Sequence, residues 1–194
     1  MTKGQGTTGL AISIRRPNRR DFVKLQRMLG SFDGIDKRFF HPGIGLNSPY
    51  LLWVPYQLIF ILNGWHFVMV QLMRAFPRLV RIDLVAVDKK DNVVGFAYLN
   101  VREKYGRGKY SADFGIALSP LMRGRGIASV LMQQLLRTGF REGVRRVKLI
   151  VMSDNEKAIR LYTRFGFRPT RIVSDRWRNE NYESIEMMLD PSDS

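Results

Sequence analysis

The run Leu118-Ser119-Pro120-Leu121-Met122-Arg123-Gly124-Arg125-Gly126-Ile127-Ala128-Ser129 decides the fold. Before it, Tyr110 to Leu118 reads as a strand that Ser119-Pro120 stops. After it, Ile127, Val130, Leu131, Leu135 and Phe140 recur at helical spacing. This predicts a helix from about Gly126 to Glu142, with Gly143 as its C-cap. The glycines and arginines between strand and helix have a physical use. Backbone N–H groups at a helix start lack an internal partner, and the helix dipole favours an anion there. Gly124 and Gly126 allow close backbone approach, and Arg123 and Arg125 add charge. The loop reads either as a pyrophosphate cradle or as a plain glycine-containing helix entry. Two other phosphate loops fail on spacing. No Gly-x-x-x-x-Gly-Lys-Ser/Thr occurs, and Gly124-x-Gly126-x-x-Ser129 lacks the final Gly or Ala of a dinucleotide fingerprint.

Working outward, three strands precede the loop: Val80 to Val87, Val93 to Arg102 and Tyr110 to Leu118. Short turns at Asp88 to Asn92 and Tyr105 to Lys109 join them, so an antiparallel meander is expected. Downstream, Val147 to Met152 is a strand reached through a helix and should lie parallel to its predecessor. Asn155 to Phe165 reads as a helix capped near Ser153 or Asp154 and ended by Gly166. Thr170 to Trp177 and Tyr182 to Leu189 form a hairpin around Asn179-Glu180-Asn181. At the start of the chain, Leu10 to Ile14 alternates like a short strand. Asp21 to Leu29 reads as a helix with Phe22, Leu25 and Leu29 on one face. The expected class is α/β (α+β): a mixed, mostly antiparallel central sheet with helices on both faces. One domain spans residues 1–194, with residues 1–9 and 190–194 as flexible ends.

Phe39 to Met73 contains no Asp, Glu, Lys or Arg. A membrane-spanning helix needs about 20 mostly apolar residues in a row. Pro55, Gln57, Asn63, Gly64, His66 and Gln71 interrupt this run, so no transmembrane helix is expected. Leu58, Ile61, Leu62, Trp65, Val68 and Met69 recur at helical spacing and predict an amphipathic helix from about Tyr56 to Arg74. Phe60 and Phe67 lie off its apolar face. The 39–76 insertion thus reads as core packing, or as a surface for a substrate lid, a homodimer contact or a membrane contact.

With 194 residues, 45% hydrophobic and 25% charged, the chain falls in the ordinary globular range. The absence of cysteine excludes disulfides, thiolate metal sites and a cysteine nucleophile. His41 and His66 are too isolated for a zinc site, so no metal is expected. A net charge of +15 sets an expectation of an anionic partner: nucleic acid, an acidic protein, anionic lipid or a polyphosphate. Met1 to Asp21 shows no secretory signal, and the expected location is cytoplasmic.

A second constellation, Asn155-x-x-Ala158-x-x-Leu161-Tyr162-x-x-Phe165-Gly166-Phe167, closes the next strand–helix unit. Together with Arg123-x-x-Gly126-x-Ala128 it resembles the two motifs of the GNAT superfamily of N-acyltransferases. The resemblance is strong from about Leu79 to Leu189, weak over 1–34 and absent over about 43–78. It implies a GNAT-like sheet with a splay between two parallel strands. It also implies an enzyme that moves an acetyl group from acetyl-CoA to an amine. The acceptor classes are a protein N-terminus, a lysine and a small-molecule amine.

Carried over by resemblance, backbone groups of Ile116, Ala117 and Leu118 would hold the pantetheine arm and the acetyl carbonyl. Arg123, Gly124, Arg125, Gly126, Ile127, Ala128 and Ser129 would hold the pyrophosphate. Asn155 would contact the pantetheine. Arg164 belongs to a basic set beyond the cradle helix, with Arg137, Arg141, Arg145, Arg146, Lys148, Arg160 and Arg168, whose readings are the 3′-phosphate of CoA, an acidic partner or a solvated surface. Tyr162 is the expected general acid; its other reading is a core aromatic. Asp113 is the expected base; its other reading is an ion pair within the sheet. Asp83 is a weaker base candidate. The rival to an enzyme is a nucleic-acid-binding or regulatory protein that keeps the fold and binds CoA without turnover.

Overall fold

The computed structural model describes residues 12–33, 81–104, 110–177 and 180–190. Among these residues, seven strands form one sheet in the order β1-β2-β3-β4-β5-β7-β6. They are β1 (Ser13–Arg15), β2 (Arg81–Val87), β3 (Val93–Lys104), β4 (Tyr110–Leu118), β5 (Val144–Met152), β6 (Arg168–Trp177) and β7 (Glu180–Leu189). Among the described residues, three helices flank it: α1 (Asp21–Gly30), α2 (Ile127–Arg141) and α3 (Glu156–Arg164). All strand pairs are antiparallel except β4 with β5. The expected mixed sheet, its meander and its single parallel pair are therefore present.

Alternation along the strands explains why helices cover both faces. Ile82, Leu84, Ala97, Leu99, Ala112 and Phe114 point to one side and meet α2 through Ile127, Leu131 and Leu135. Val85, Phe96 and Ala117 point to the other and meet Leu25, Met28 and Phe32 from α1 and the turn after it. Leu131 and Leu135 are fully buried. Each such side chain stabilises the fold by about 1.5–3 kcal/mol relative to exposure. Gly139 lets α2 lie close to β3, since a Cβ there would stand 2.4 Å from Leu99 Cδ1.

The α1 side is anchored electrostatically. Asp21, at the first turn of α1, is buried and receives two hydrogen bonds from Arg15 on β1, at 2.5 and 2.8 Å. Arg15 also reaches Asp91 at 3.1 Å, and Lys24 pairs with the same carboxylate.

Boundaries differ from expectation in several places. β1 covers Ser13–Arg15, with Leu10 outside the described residues, and β5 starts at Val144 rather than Val147. β6 begins at Arg168 and β7 at Glu180, so both strands of the last hairpin start earlier than expected. Asp190, read as the first residue of a loose tail, is held by Arg146 at 3.1 Å. The predicted helix from Tyr56 to Arg74, the 39–76 insertion and both histidines lie outside the described residues. No helix among the described residues is long and apolar enough to cross a membrane. No group of three or more potential metal ligands occurs among them either.

Candidate active site

The parallel ladder of β4 and β5 is short. It runs from Tyr110 opposite Val144 to Asp113 opposite Lys148 and stops. β4 continues to Leu118 while β5 stays paired with β7 as far as Met152 opposite Ser184. The two strands therefore part after Asp113. The β5-facing backbone groups of β4, from Phe114 to Leu118, look into the gap. Ile116 and Leu118 are half-buried against the α2-side core, and Ala117 is buried on the α1 side.

Beyond Leu118 a single 3-10 turn at Pro120–Met122 leads into the loop. Arg123 donates from Nη2 to the Leu118 carbonyl at 3.4 Å, and its guanidinium lies 5.7 Å from the centre of the Phe32 ring. Gly124 and Gly126 have φ of 73° and 77°, in the left-handed region. A Cβ at either would touch nothing within 4 Å. Backbone conformation, rather than crowding by the protein, thus requires glycine there. Gly126 is the N-cap of α2, and no side chain caps it. Among the described residues, no backbone carbonyl outside the helix takes up the N–H groups of Gly124 to Ala128. Arg123, Gly124, Arg125 and Gly126 are exposed. Open N–H groups, a positive dipole end and two arginines are features that favour an anion.

The third wall comes from α3. Arg164 donates from Nη2 to Ser129 Oγ at 2.9 Å, which brings the last turn of α3 to the first turn of α2. Gly166 ends α3 with φ 88°. Phe167 N–H bonds Tyr162 O at 3.1 Å and Gly166 N–H bonds Thr163 O at 2.9 Å, the hydrogen-bond pair of a Schellman motif. That closure turns Phe167 into the core, where it is 1% exposed. Phe167 and Phe114 then hold Tyr162, at ring separations of 6.1 and 5.9 Å. Phe114 is the first β4 residue past the end of the parallel ladder. Burial, and then the nearby Tyr98 phenol, push the Tyr162 hydroxyl well above its ordinary pKa, so it stays protonated.

Asn155 also has a structural task. Its Oδ1 accepts from Ala158 N–H at 3.2 Å, so Asn155 is the N-cap of α3. The cap was expected at Ser153 or Asp154. Ser153 instead donates from backbone N–H and Oγ to the Glu183 carbonyl, both at 3.0 Å.

Asp113 sits at the end of the ladder with Lys148 Nζ 4.0 Å away. Lys148 also lies 3.9 Å from Glu186, which Arg171 and Thr170 bind at 3.0 and 3.1 Å. The ion-pair reading of Asp113 thus has a partner. Asp83 accepts from Arg81 Nε at 2.6 Å. Burial raises the Asp83 pKa from its ordinary value, and Arg81 opposes that.

One residue escaped the sequence reading. Tyr98 stands opposite both Asp83 on β2 and Gly115 on β4. A Cβ on Gly115 would fall 2.4–2.6 Å from the Tyr98 ring and hydroxyl. Its phenol therefore lies over Gly115, beside the opening of the splay, with the Arg81 guanidinium 4.4 Å from its ring centre. The available signal was a lone glycine inside a strand, which marks close approach of a neighbour.

Comparison with known proteins agrees with this geometry. The model of the acetyltransferase (GNAT) family matches residues 51–167. The match enters the segment in which the sequence alone offered no resemblance, and it ends before the last hairpin. L-amino acid N-acetyltransferase AaaT of Escherichia coli (strain K12) is 35% identical over 79 residues, 39% of this chain and 47% of that protein. Mycothiol acetyltransferase of Brachybacterium faecium is 34% identical over 86 residues, 44% of this chain and 26% of that protein. The aligned stretch thus spans half or less of these curated relatives. The structure of yncA from Salmonella typhimurium with its cofactor acetyl-CoA superposes with a TM-score of 0.63. It is 18% identical, over 93% of this chain and 94% of that chain, and so speaks for the fold.

Proposed function

The chain belongs to the GNAT family of acetyltransferases, and from that premise we propose that it transfers an acetyl group from acetyl-CoA directly to a primary amine. One observation carries the reading. β4 and β5 part after Asp113 beside an uncapped helix start, with the protonated Tyr162 packed at the same opening. The acceptor is an amine of a protein N-terminus, a lysine or a small molecule.

The residues divide the work. N–H groups from Gly124 to Ser129, with Arg123, Arg125 and Arg164, hold the pyrophosphate and neighbouring phosphate. Backbone groups of Ile116 to Leu118 hold the thioester arm, and an N–H there stabilises negative charge on the carbonyl oxygen. Asn155, which also caps the start of α3, contacts the pantetheine. The amine nitrogen forms a bond to the carbonyl carbon and the carbon–sulfur bond breaks. Tyr162 gives its proton to the departing thiolate. The amine proton leaves to Asp113, directly or through water, with Asp83 as the second candidate. The products are an amide and CoA.

The test is thiol release from acetyl-CoA against amine panels: peptide N-termini, lysine peptides, amino acids, polyamines and aminoglycosides. Release with at least one class is expected. Tight acetyl-CoA binding with no release, alongside nucleic-acid binding that falls steeply with salt, would support a regulatory protein instead.

A further inference from the structure

Four arginines from three elements meet on one groove of about 1220 Å³, far along α2 from its donor-binding end. Arg137 and Arg141 come from α2, Arg145 from the start of β5 and Arg168 from the start of β6. All four are exposed. Arg137 and Arg141 stand four apart on one helix, where like charges destabilise the helix. Among the described residues, Arg137, Arg141 and Arg168 have no carboxylate partner. Arg145 uses Nη1 on the carbonyls of Phe140 and Val144, at 2.6 and 3.0 Å, which fixes its guanidinium at the end of α2. The one acid lining the groove, Asp190, is held by Arg146, and nearby Glu142 is held by Arg16 at 2.8 Å.

The floor has the opposite character. Leu136, Phe140, Phe165 and Leu189 line it. We propose that this groove docks an acidic peptide segment that carries an apolar side chain. Carboxylates match the arginine forks, and the apolar side chain matches the floor. The groove exceeds the roughly 300–1,000 Å³ typical of a small-molecule site, which fits a length of chain. A single-stranded nucleic acid calls for exposed aromatic faces on which bases stack. Phe140 and Phe165 are half-buried in the floor, so the peptide is favoured. The groove adjoins the N-terminal end of β5, whereas the donor loop follows the C-terminal end of β4. Docking there leaves the donor site open.

Fluorescence anisotropy with a labelled (Glu-Glu-Leu)4 peptide tests this on the full chain. The controls are the same peptide with Gln for Glu, and a poly(dT) oligonucleotide. Saturable binding of the acidic peptide is expected, at least tenfold tighter than the Gln form. The combined Arg137→Gln, Arg141→Gln and Arg168→Gln variant should lose at least tenfold of that affinity and keep its acetyl-CoA affinity and melting temperature. Replacement of the same three by Lys should restore part of the binding. The proposal is overturned if the Gln peptide binds equally, or if the triple Gln variant binds the acidic peptide unchanged. It is also overturned if poly(dT) binds more tightly through the same arginines, or if the variant loses acetyl-CoA, which would make the groove part of the donor site.

Discussion

Arg164 Nη2 donates to Ser129 Oγ at 2.9 Å, tying the last turn of α3 to the first turn of α2. The bond places a guanidinium at the helix start where the donor phosphates are proposed to sit. Both ends of this bond are at the surface, so the fold depends on it little.

Arg164→Ala should therefore weaken acetyl-CoA binding by about 1 kcal/mol, roughly fivefold in Kd. Its melting temperature should stay close to wild type. Isothermal titration calorimetry and a thermal melt check the two halves separately.

Gly126 makes a different demand. At φ 77° a β-branched residue is strained, so Gly126→Val should cost about 1–2 kcal/mol of stability. The larger effect is on the ligand, because the re-formed loop no longer aims its N–H groups. Acetyl-CoA binding should fall below detection in a protein whose circular dichroism is native. Tight binding by this variant would remove the cradle from the account.

Gly115→Val probes the opposite side of the splay. The new Cβ needs the space of the Tyr98 ring, which lies 2.4 Å away. Displacing that phenol should lower kcat/KM for any accepted amine by roughly tenfold or more. Acetyl-CoA affinity, set mainly by the cradle from Gly124 to Ser129, should hold within about twofold. The comparison of amine kinetics with donor titration decides it.

The Arg15–Asp21 pair predicts the acid limb of stability. Burial pushes the Asp21 carboxyl up, but the Arg15 hydrogen bonds and charge outweigh it and the pKa lies below its ordinary value. A carboxylate held lower in the folded state contributes stability above its unfolded pKa of about 3.9. That contribution is lost as pH falls through the folded value. Asp21→Asn should cost about 2–4 kcal/mol near pH 7, since it leaves Arg15 facing a buried neutral group. The difference between variant and wild type should shrink as pH drops below 4. Urea unfolding across pH 2–7 measures it.

The sequence was most legible where structure is local. The glycines of the cradle and the cap at Gly166 depend on backbone conformation within a few residues, and their spacing shows it. Local cues misled in two places. Ser153 and Asp154 stand where a cap is expected, but Ser153 is drawn to the Glu183 carbonyl across the sheet and Asn155 caps instead. Arg145 and Arg146 look like a loop, yet their backbone extends β5, with Val144 opposite Tyr110 and Arg146 opposite Ser111. Tyr98 was missed because its place depends on register between β3 and β4, which no local pattern encodes. The splay was inferred from resemblance alone, since the length of the β4–β5 ladder depends on where β5 turns toward β7.

The central claim is that the buried, protonated Tyr162 hydroxyl serves the departing thiolate, and Tyr162→Phe isolates that hydroxyl. The ring contacts with Phe114 and Phe167 remain. The decisive measurement is kcat alongside the acetyl-CoA Kd for this variant. The account predicts that kcat drops by about 10²-fold or more while Kd stays nearly unchanged. An unchanged kcat would contradict it and leave Tyr162 as a core aromatic.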